Sequence, residues 1–139
     1  MDSQLTQNDL QQAHQLLNDY APAQTAFSAL DSHDGEVSAA FADLWAAQNG
    51  VTAFGPNKSI WQVAKAELRN ELCGEAGFRT KMQDYLKKPG DAATLTGIII
   101  YVVGLTTLPL DPAMATIVVL YLLKFGLNVF CTYTEPEDA

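Results

Sequence analysis

Two long apolar segments joined by a proline-bounded turn constrain the fold more than any other feature of this chain. The first runs from Ala92 to Leu110 and the second from Pro112 to Thr134, and Lys124 is the only charged residue inside either segment. Runs of β-branched residues also suit buried strands, but the surrounding pattern is helical throughout and an Asp-Pro pair, a strong helix start, opens the second segment. The sequence therefore predicts an apolar helical hairpin over residues 94–131.

The hairpin is short for a membrane-spanning structure. Its first arm, residues 94–108, would be about 22 Å long as a helix, whereas the hydrocarbon core of a bilayer is roughly 30 Å thick. In the second arm, Lys124 would add about 2.5–3.5 kcal/mol to the free energy of insertion. We therefore expect the hairpin to form the buried core of a bundle. Conditional insertion into a membrane, a permanent membrane hairpin and an interface with a partner or second copy are the alternatives.

Small and polar residues within the hairpin indicate how its arms pack. In the first arm, Gly97, Tyr101 and Gly104 fall on one narrow face, and glycines seven residues apart predict a seam at which a neighbouring helix comes close. The second arm carries a thin polar strip, which predicts a central helix exposed along one line only. That strip consists of Tyr121, Lys124, Asn128 and Thr132. The positions expected to govern packing or insertion are Gly97, Tyr101, Gly104, Pro109, Pro112, Lys124 and Asn128.

Upstream of the hairpin, the chain reads as amphipathic helices separated by turns. Thr6 and Asp9 resemble a capping box and predict a first helix over residues 7–19. Helical apolar stripes predict further helices near residues 23–30, 37–49, 59–73 and 78–87. We expect Asp34 to cap the helix that starts near residue 37 and Ser59 to cap the next. The chain is thus predicted to be a single all-α domain, residues 1–139, of five to seven helices around the central apolar hairpin, frayed at residues 1–5 and 134–139.

The net charge of −8 is unevenly distributed along the chain. Residues 1–57 carry seven acids and no Lys or Arg, whereas residues 58–90 carry seven of the eight basic residues against four acids, a net charge of +3. Either the acidic part lies near the basic part within the fold, or an acidic face docks on a basic partner. The candidates for that face are Asp9, Asp19, Asp31, Asp34, Glu36 and Asp43. Nucleic-acid binding is disfavoured, because a phosphate backbone requires a concentrated basic surface.

No residue pattern predicts a catalytic, cofactor or metal site. His14 has no acid or cysteine at ligand spacing, and the acids and histidine of residues 31–36 lack the EF-hand spacing and read as a turn with a helix cap. Glutamates recur every fourth residue from Glu67 to Glu75, but the Glu-x-x-His partners of a carboxylate-bridged metal bundle are missing. We therefore expect neither enzyme activity nor a cofactor.

The two cysteines and the N-terminal residues indicate the cellular compartment of the protein. Cys73 and Cys131 lie far apart in sequence, each in or beside a helical apolar pattern, and are expected to be buried thiols, with a disulfide or a reactive site as the alternatives. The first twenty residues are polar and rich in Gln, which is unlike a secretory signal peptide, so we expect cytoplasmic residence.

These patterns together predict a small, soluble, non-catalytic protein-interaction module, such as an adaptor, a regulator or an accessory subunit. Its acidic N-terminal face would contact another protein that carries a basic surface. The alternative is a bundle whose hairpin, residues 94–131, inserts conditionally into a membrane, with low pH as the trigger because protonation removes surface charge. A homo-oligomer also fits, since burial against a second copy and burial within the chain look identical in a sequence.

Overall fold

A computed structural model describes residues 4–50, 60–74 and 76–133, and these residues form eight α-helices. The helices are α1 Gln7–Leu16, α2 Ala21–Ser32, α3 Val37–Asn49, α4 Ile60–Leu72, α5 Ala76–Lys87, α6 Ala92–Leu105, α7 Pro112–Phe125 and α8 Leu127–Tyr133. The predicted all-α bundle is confirmed. The helix number exceeds the expected five to seven in part because the second hairpin arm divides at Gly126, whose φ of +88° interrupts the helix.

Helix α7 is the centre of the bundle. All ten residues from Ala113 to Leu122 are buried, and α2, α3, α6 and α8 pack around the helix. The side chain of Asp111 accepts a hydrogen bond from the backbone N–H of Met114, and Pro112 occupies the first turn, which confirms the predicted helix start. A helix that is apolar on every side belongs in a core, and the hairpin arm occupies that position here.

An aromatic cluster joins the central helix to α3, α4 and α8. The ring of Trp61 lies 5.1 Å from that of Phe41 and 5.2 Å from that of Tyr121, and the Tyr121 ring lies 6.2 Å from that of Phe130. Tyr121 is 1% exposed, and burial raises the pKa of its hydroxyl. The prediction that Tyr121 belongs to an exposed polar strip is therefore wrong, because its ring packs in the core.

The predicted capping box at the start of α1 is confirmed. The hydroxyl of Thr6 accepts a hydrogen bond from the backbone N–H of Asp9 over 3.1 Å, and the Asp9 carboxylate accepts one from the Thr6 N–H over 2.9 Å. The cap of α3 differs from the prediction: it is Glu36, whose carboxylate accepts from the N–H of Ser38. Asp34 instead lies in the preceding turn with φ +56°. The predicted cap of α4, Ser59, lies outside the described residues.

The turn before α3 is held against the N-terminal segment by backbone contacts. The N–H of Leu5 donates to the carbonyl oxygen of Gly35 over 2.8 Å. Gly35 has φ +86°, and a Cβ added there would lie 2.1 Å from the carbonyl oxygen of Leu5. Both the backbone conformation and the close approach therefore require glycine at this position.

The turn between the hairpin arms is fixed by a carboxylate from α4. Glu71 accepts hydrogen bonds from the hydroxyl of Thr106 over 2.5 Å and from the N–H and hydroxyl of Thr107 over 2.9 and 2.8 Å. Burial opposes ionisation of Glu71, but these hydrogen bonds outweigh burial and lower its pKa below the ordinary value. Glu71 thus ties the end of α4 to the residues that follow α6.

Helices α6 and α7 contain 14 residues each. Over the ranges that the structure describes, none of the helices combines the length and the apolar character needed to cross a membrane.

Candidate interaction surfaces

The acids predicted to form a docking face are largely engaged within the chain. Asp9 forms an ion pair with Lys124, with 3.0 Å between Oδ2 and Nζ, and this pair joins α1 to α7. The imidazole of His33 lies 2.6 Å from the carboxylate of Asp43. A longer pair, at 3.9 Å, joins His14 to Asp31.

The remaining three acids of that set lie in turns. Asp19, in the α1–α2 turn, and Asp34, in the α2–α3 turn, are exposed. Glu36 is half-buried and caps α3. Four of the six acids therefore have contacts within the fold, which leaves less free negative surface than the sequence predicts.

The prediction that the glycines of α6 face a neighbouring helix is wrong, because they face outward. A Cβ added at Gly97 or Gly104 would meet no neighbouring atom within 4 Å, and both positions are exposed, as is Ile100 between them. The reason is that Leu95, Ile98, Ile99 and Val102 take the buried positions of α6, so that both glycines face outward. Tyr101 does pack as predicted for a contact position: its ring stacks with Phe78 of α5, with 6.4 Å between centroids.

The other hairpin positions have separate roles. Pro109 is exposed, and its carbonyl oxygen accepts a hydrogen bond from Gln48 over 3.5 Å. Pro112 opens α7, and Lys124 pairs with Asp9 as described above. Asn128 lies in α8, but its side chain is outside the part of the chain that the structure describes.

An apolar groove lies on the surface above the second half of α7. Residues of α5 line it throughout, with residues of α8 at one end and residues of α1 at the other. The part beside α8 has a volume of about 310 Å³ and the part beside α1 about 260 Å³. Both parts share Leu86 of α5 and Leu123 of α7, so they form one surface, which we call the Leu86 groove.

Leu86 lies at the middle of this groove and is 62% exposed. Met82, on the same wall, and Leu127 and Val129 of α8 also line it. The helical stripe of α5 already places Leu86 among apolar positions, but a stripe does not show whether a neighbour covers it. In the structure, nothing within the described residues covers Leu86, and the apolar surface stays open.

Two basic residues belong to the α5 side of the groove. Arg79 lines the groove, and Lys87 is exposed directly after Leu86. Across the groove, α1 contributes Asp9 and Gln12, and Asp9 is already paired with Lys124. The α5 side therefore carries one basic residue in the groove and another next to it in sequence, although the protein as a whole is acidic.

Cys73 and Cys131 form a disulfide that joins the end of α4 to α8. The expectation of two buried thiols is wrong, because the fold brings their Cα atoms to 5.8 Å, within bonding range, at half-buried positions. Arg69 donates a hydrogen bond to the carbonyl oxygen of Cys131, and Arg79 donates one to that of Cys73. The disulfide thus joins α4 to the helix that lines one end of the Leu86 groove.

The described residues gather no group of three or more His, Cys, Asp or Glu side chains that could hold a metal ion. The chain matches no protein-family model, and no curated protein or solved structure shows significant similarity to it.

Proposed function

We propose that this chain is a small, non-catalytic protein-interaction module whose Leu86 groove binds an amphipathic helix of a partner protein. The observation that carries the proposal is Leu86 itself, a large apolar side chain that is 62% exposed in the middle of an apolar groove. Contiguous apolar surface on a monomeric protein commonly marks a binding site.

The dimensions of the groove suit a helical ligand. Along α5 its lining residues extend from Arg79 to Leu86, which corresponds to about 10 Å at 1.5 Å per residue. A helix bound in a groove uses apolar anchors at positions i, i+3 or i+4, and i+7, which span about 10 Å. Two turns of a partner helix would therefore cover Leu86 and reach Val129 at the α8 end.

The charge of the rim specifies the polar side of that helix. Arg79 and Lys87 favour acidic residues beside the apolar anchors, because opposite charges at a rim steer association and fix orientation. The basic partner surface expected from the acidic N-terminal part can contact Asp19 and Asp34, which stay exposed. The partner would then carry an acid-flanked apolar helix and a separate basic region.

We further propose that the protein is soluble and acts in the cytoplasm. Disulfides are rare among cytosolic proteins, and those that occur are mainly transient, catalytic or redox-sensing. Cytoplasmic residence thus requires the Cys73–Cys131 bond to be one that the cell makes and breaks.

A display selection with a library of amphipathic helical peptides tests the groove directly. The selection uses the wild-type protein, and each enriched peptide is then measured against Leu86→Glu and Ile100→Glu. Ile100 is the matched control, since it is 57% exposed on α6, outside the groove. We expect Leu86→Glu to weaken binding at least tenfold, about 1.4 kcal/mol, and Ile100→Glu to leave it within twofold.

Recovery of no peptide, or equal effects of both substitutions, would overturn the proposal. Flotation of the protein with anionic liposomes at acidic pH would overturn it in favour of the membrane-inserting hairpin. Enrichment of peptides flanked by basic residues would refute the predicted charge of the ligand while leaving the groove as the site.

A further inference from the structure

The Cys73–Cys131 disulfide occupies a position from which it can control the Leu86 groove. Cys131 lies in α8, and two other residues of that helix, Leu127 and Val129, line the groove. Cys73 immediately follows α4, which the Glu71 contacts tie to the hairpin turn. The bond therefore connects a firmly held part of the bundle to the helix that lines one end of the groove.

Helix α8 is short and is separated from the helix before it. It contains seven residues, and a helix of that length is not stable by itself in water. Gly126 separates it from α7, so the hydrogen-bonded helix of α7 does not continue into it. Its buried side chains are Leu127 and Phe130 among those that the structure describes. The covalent bond one residue after Phe130 adds to these packing contacts and to the hydrogen bond from Arg69 in holding the helix.

The two cysteines lie at partly exposed positions of the bundle. Both residues are half-buried rather than enclosed. Arg69 donates to the carbonyl oxygen of Cys131 and Arg79 to that of Cys73, each over 3.2 Å. Both guanidinium groups thus hold the backbone at the two cysteines, and the thiolate is the form that attacks and leaves in disulfide exchange.

We propose that the Cys73–Cys131 disulfide is a reversible redox switch, which holds α8 at the end of the Leu86 groove when oxidised and releases it when reduced by a dithiol. A thiolate of the dithiol attacks one sulfur, and the S–S electron pair leaves on the other cysteine, which takes a proton. The second thiol of the reductant then attacks the mixed disulfide and releases the first cysteine. The dithiol leaves as a disulfide, and the protein gains two electrons and two protons.

The effect on partner binding rests on the proposed function of the groove, but the release of α8 does not. Release is therefore measured first, by hydrogen exchange with mass spectrometry on the oxidised protein and on protein reduced with dithiothreitol. We expect the amides of α8 to exchange at least tenfold faster after reduction and those of α7 to stay protected. Reoxidation in a glutathione buffer should restore the protection.

Binding of a Leu86-dependent peptide is measured on the same two samples, with the double variant Cys73→Ser, Cys131→Ser as a permanently reduced reference. We expect reduction to weaken binding about tenfold. Unchanged exchange in α8 would overturn the switch whatever the peptide does. Loss of protection throughout the chain would also overturn it, because the bond would then be a structural staple. A failure to obtain any peptide would count against the groove alone, since the exchange experiment stands without it.

Discussion

Lys124 of α7 and Asp9 of α1 form an ion pair with 3.0 Å between nitrogen and oxygen. The only charge within either apolar arm of the hairpin is thereby neutralised by the same carboxylate that completes the capping box of the first helix. Asp9 thus makes two contacts at once. Its removal should weaken both the start of α1 and the contact between α1 and α7.

Replacement of Asp9 by Ala removes the hydrogen bond to the Thr6 N–H and leaves Lys124 without this partner. We expect the free energy of unfolding to fall by about 1–2 kcal/mol, the sum of a lost cap and a partly exposed ion pair. Urea denaturation followed by circular dichroism measures it. Asp19→Ala, at an exposed acid in the next turn, should change stability by less than about 0.5 kcal/mol. Equal losses of unfolding free energy in Asp9→Ala and Asp19→Ala would show that the contacts of Asp9 add nothing beyond its charge.

The carboxylates of Asp9 and Glu71 should make the fold sensitive to acid. Burial opposes ionisation in both, but hydrogen bonds, and Lys124 in the case of Asp9, lower each pKa below the ordinary values of 3.8 and 4.5. Each group binds fewer protons when folded, so its contribution is present above the ordinary value and is lost as the pH falls through the lower folded value. We expect unfolding free energies, measured from pH 7 downward, to decline below about pH 4.5.

Replacement of Glu71 by Gln should show how much of this acid sensitivity comes from Glu71. We expect a loss of about 1 kcal/mol at neutral pH, since hydrogen bonds to a charged group are strong but solvent screens a partly exposed one. The decline at low pH should become shallower. Glu67→Gln, on the exposed side of the same helix, is the control. A variant of Glu71 that declines as steeply as the wild type would contradict the assignment.

Alanine substitutions at Gly35 and Gly90 should separate the cost of a steric clash from the cost of a positive φ angle. Both have positive φ, but an added Cβ meets the Leu5 carbonyl oxygen at Gly35 and nothing within 4 Å at Gly90. Gly90→Ala should cost about 1–2 kcal/mol from the backbone conformation alone. Gly35→Ala should cost clearly more, because the N-terminal segment must move away. Thermal unfolding of both variants measures the difference, and equal losses would contradict the close approach.

The outward glycines of α6 offer a stabilising substitution. Gly97 and Gly104 lie inside a helix and face open space, so alanine at either position should raise the free energy of unfolding by roughly 0.5–1 kcal/mol. Denaturant unfolding of the single and double variants measures the gain, and the two effects should add. A lower free energy of unfolding in these variants would instead support the helix-packing role that the glycine spacing predicts.

Local signals made much of the fold predictable. The capping box at Thr6, the Asp111–Pro112 start and the Gly50 end of α3 are each determined by a few neighbouring residues, and the structure contains all three. The position of α7 at the centre follows from its composition, since a helix without a polar face must be covered on every side.

Features that depend on the relative placement of helices were not predictable in the same way. Helix α6 is apolar around most of its circumference, so its sequence does not show which side faces inward, and the predicted inward direction of its glycines is wrong. The Cys73–Cys131 bond closes a separation of 58 residues, which only the packing of α4 and α8 decides. The open surface at Leu86 is likewise a property of what its neighbours leave uncovered.

The ten consecutive buried residues of α7 also constrain how this chain can diverge. Most helices keep one side on which substitutions accumulate freely, but Ala113–Leu122 has none, and each change there alters a packed volume. Evolutionary drift should therefore be confined to the outer helices, with α7 changing only through compensated exchanges of similar size. Distant relatives would be recognised by this one segment and its Asp-Pro start, long after the remainder had become dissimilar.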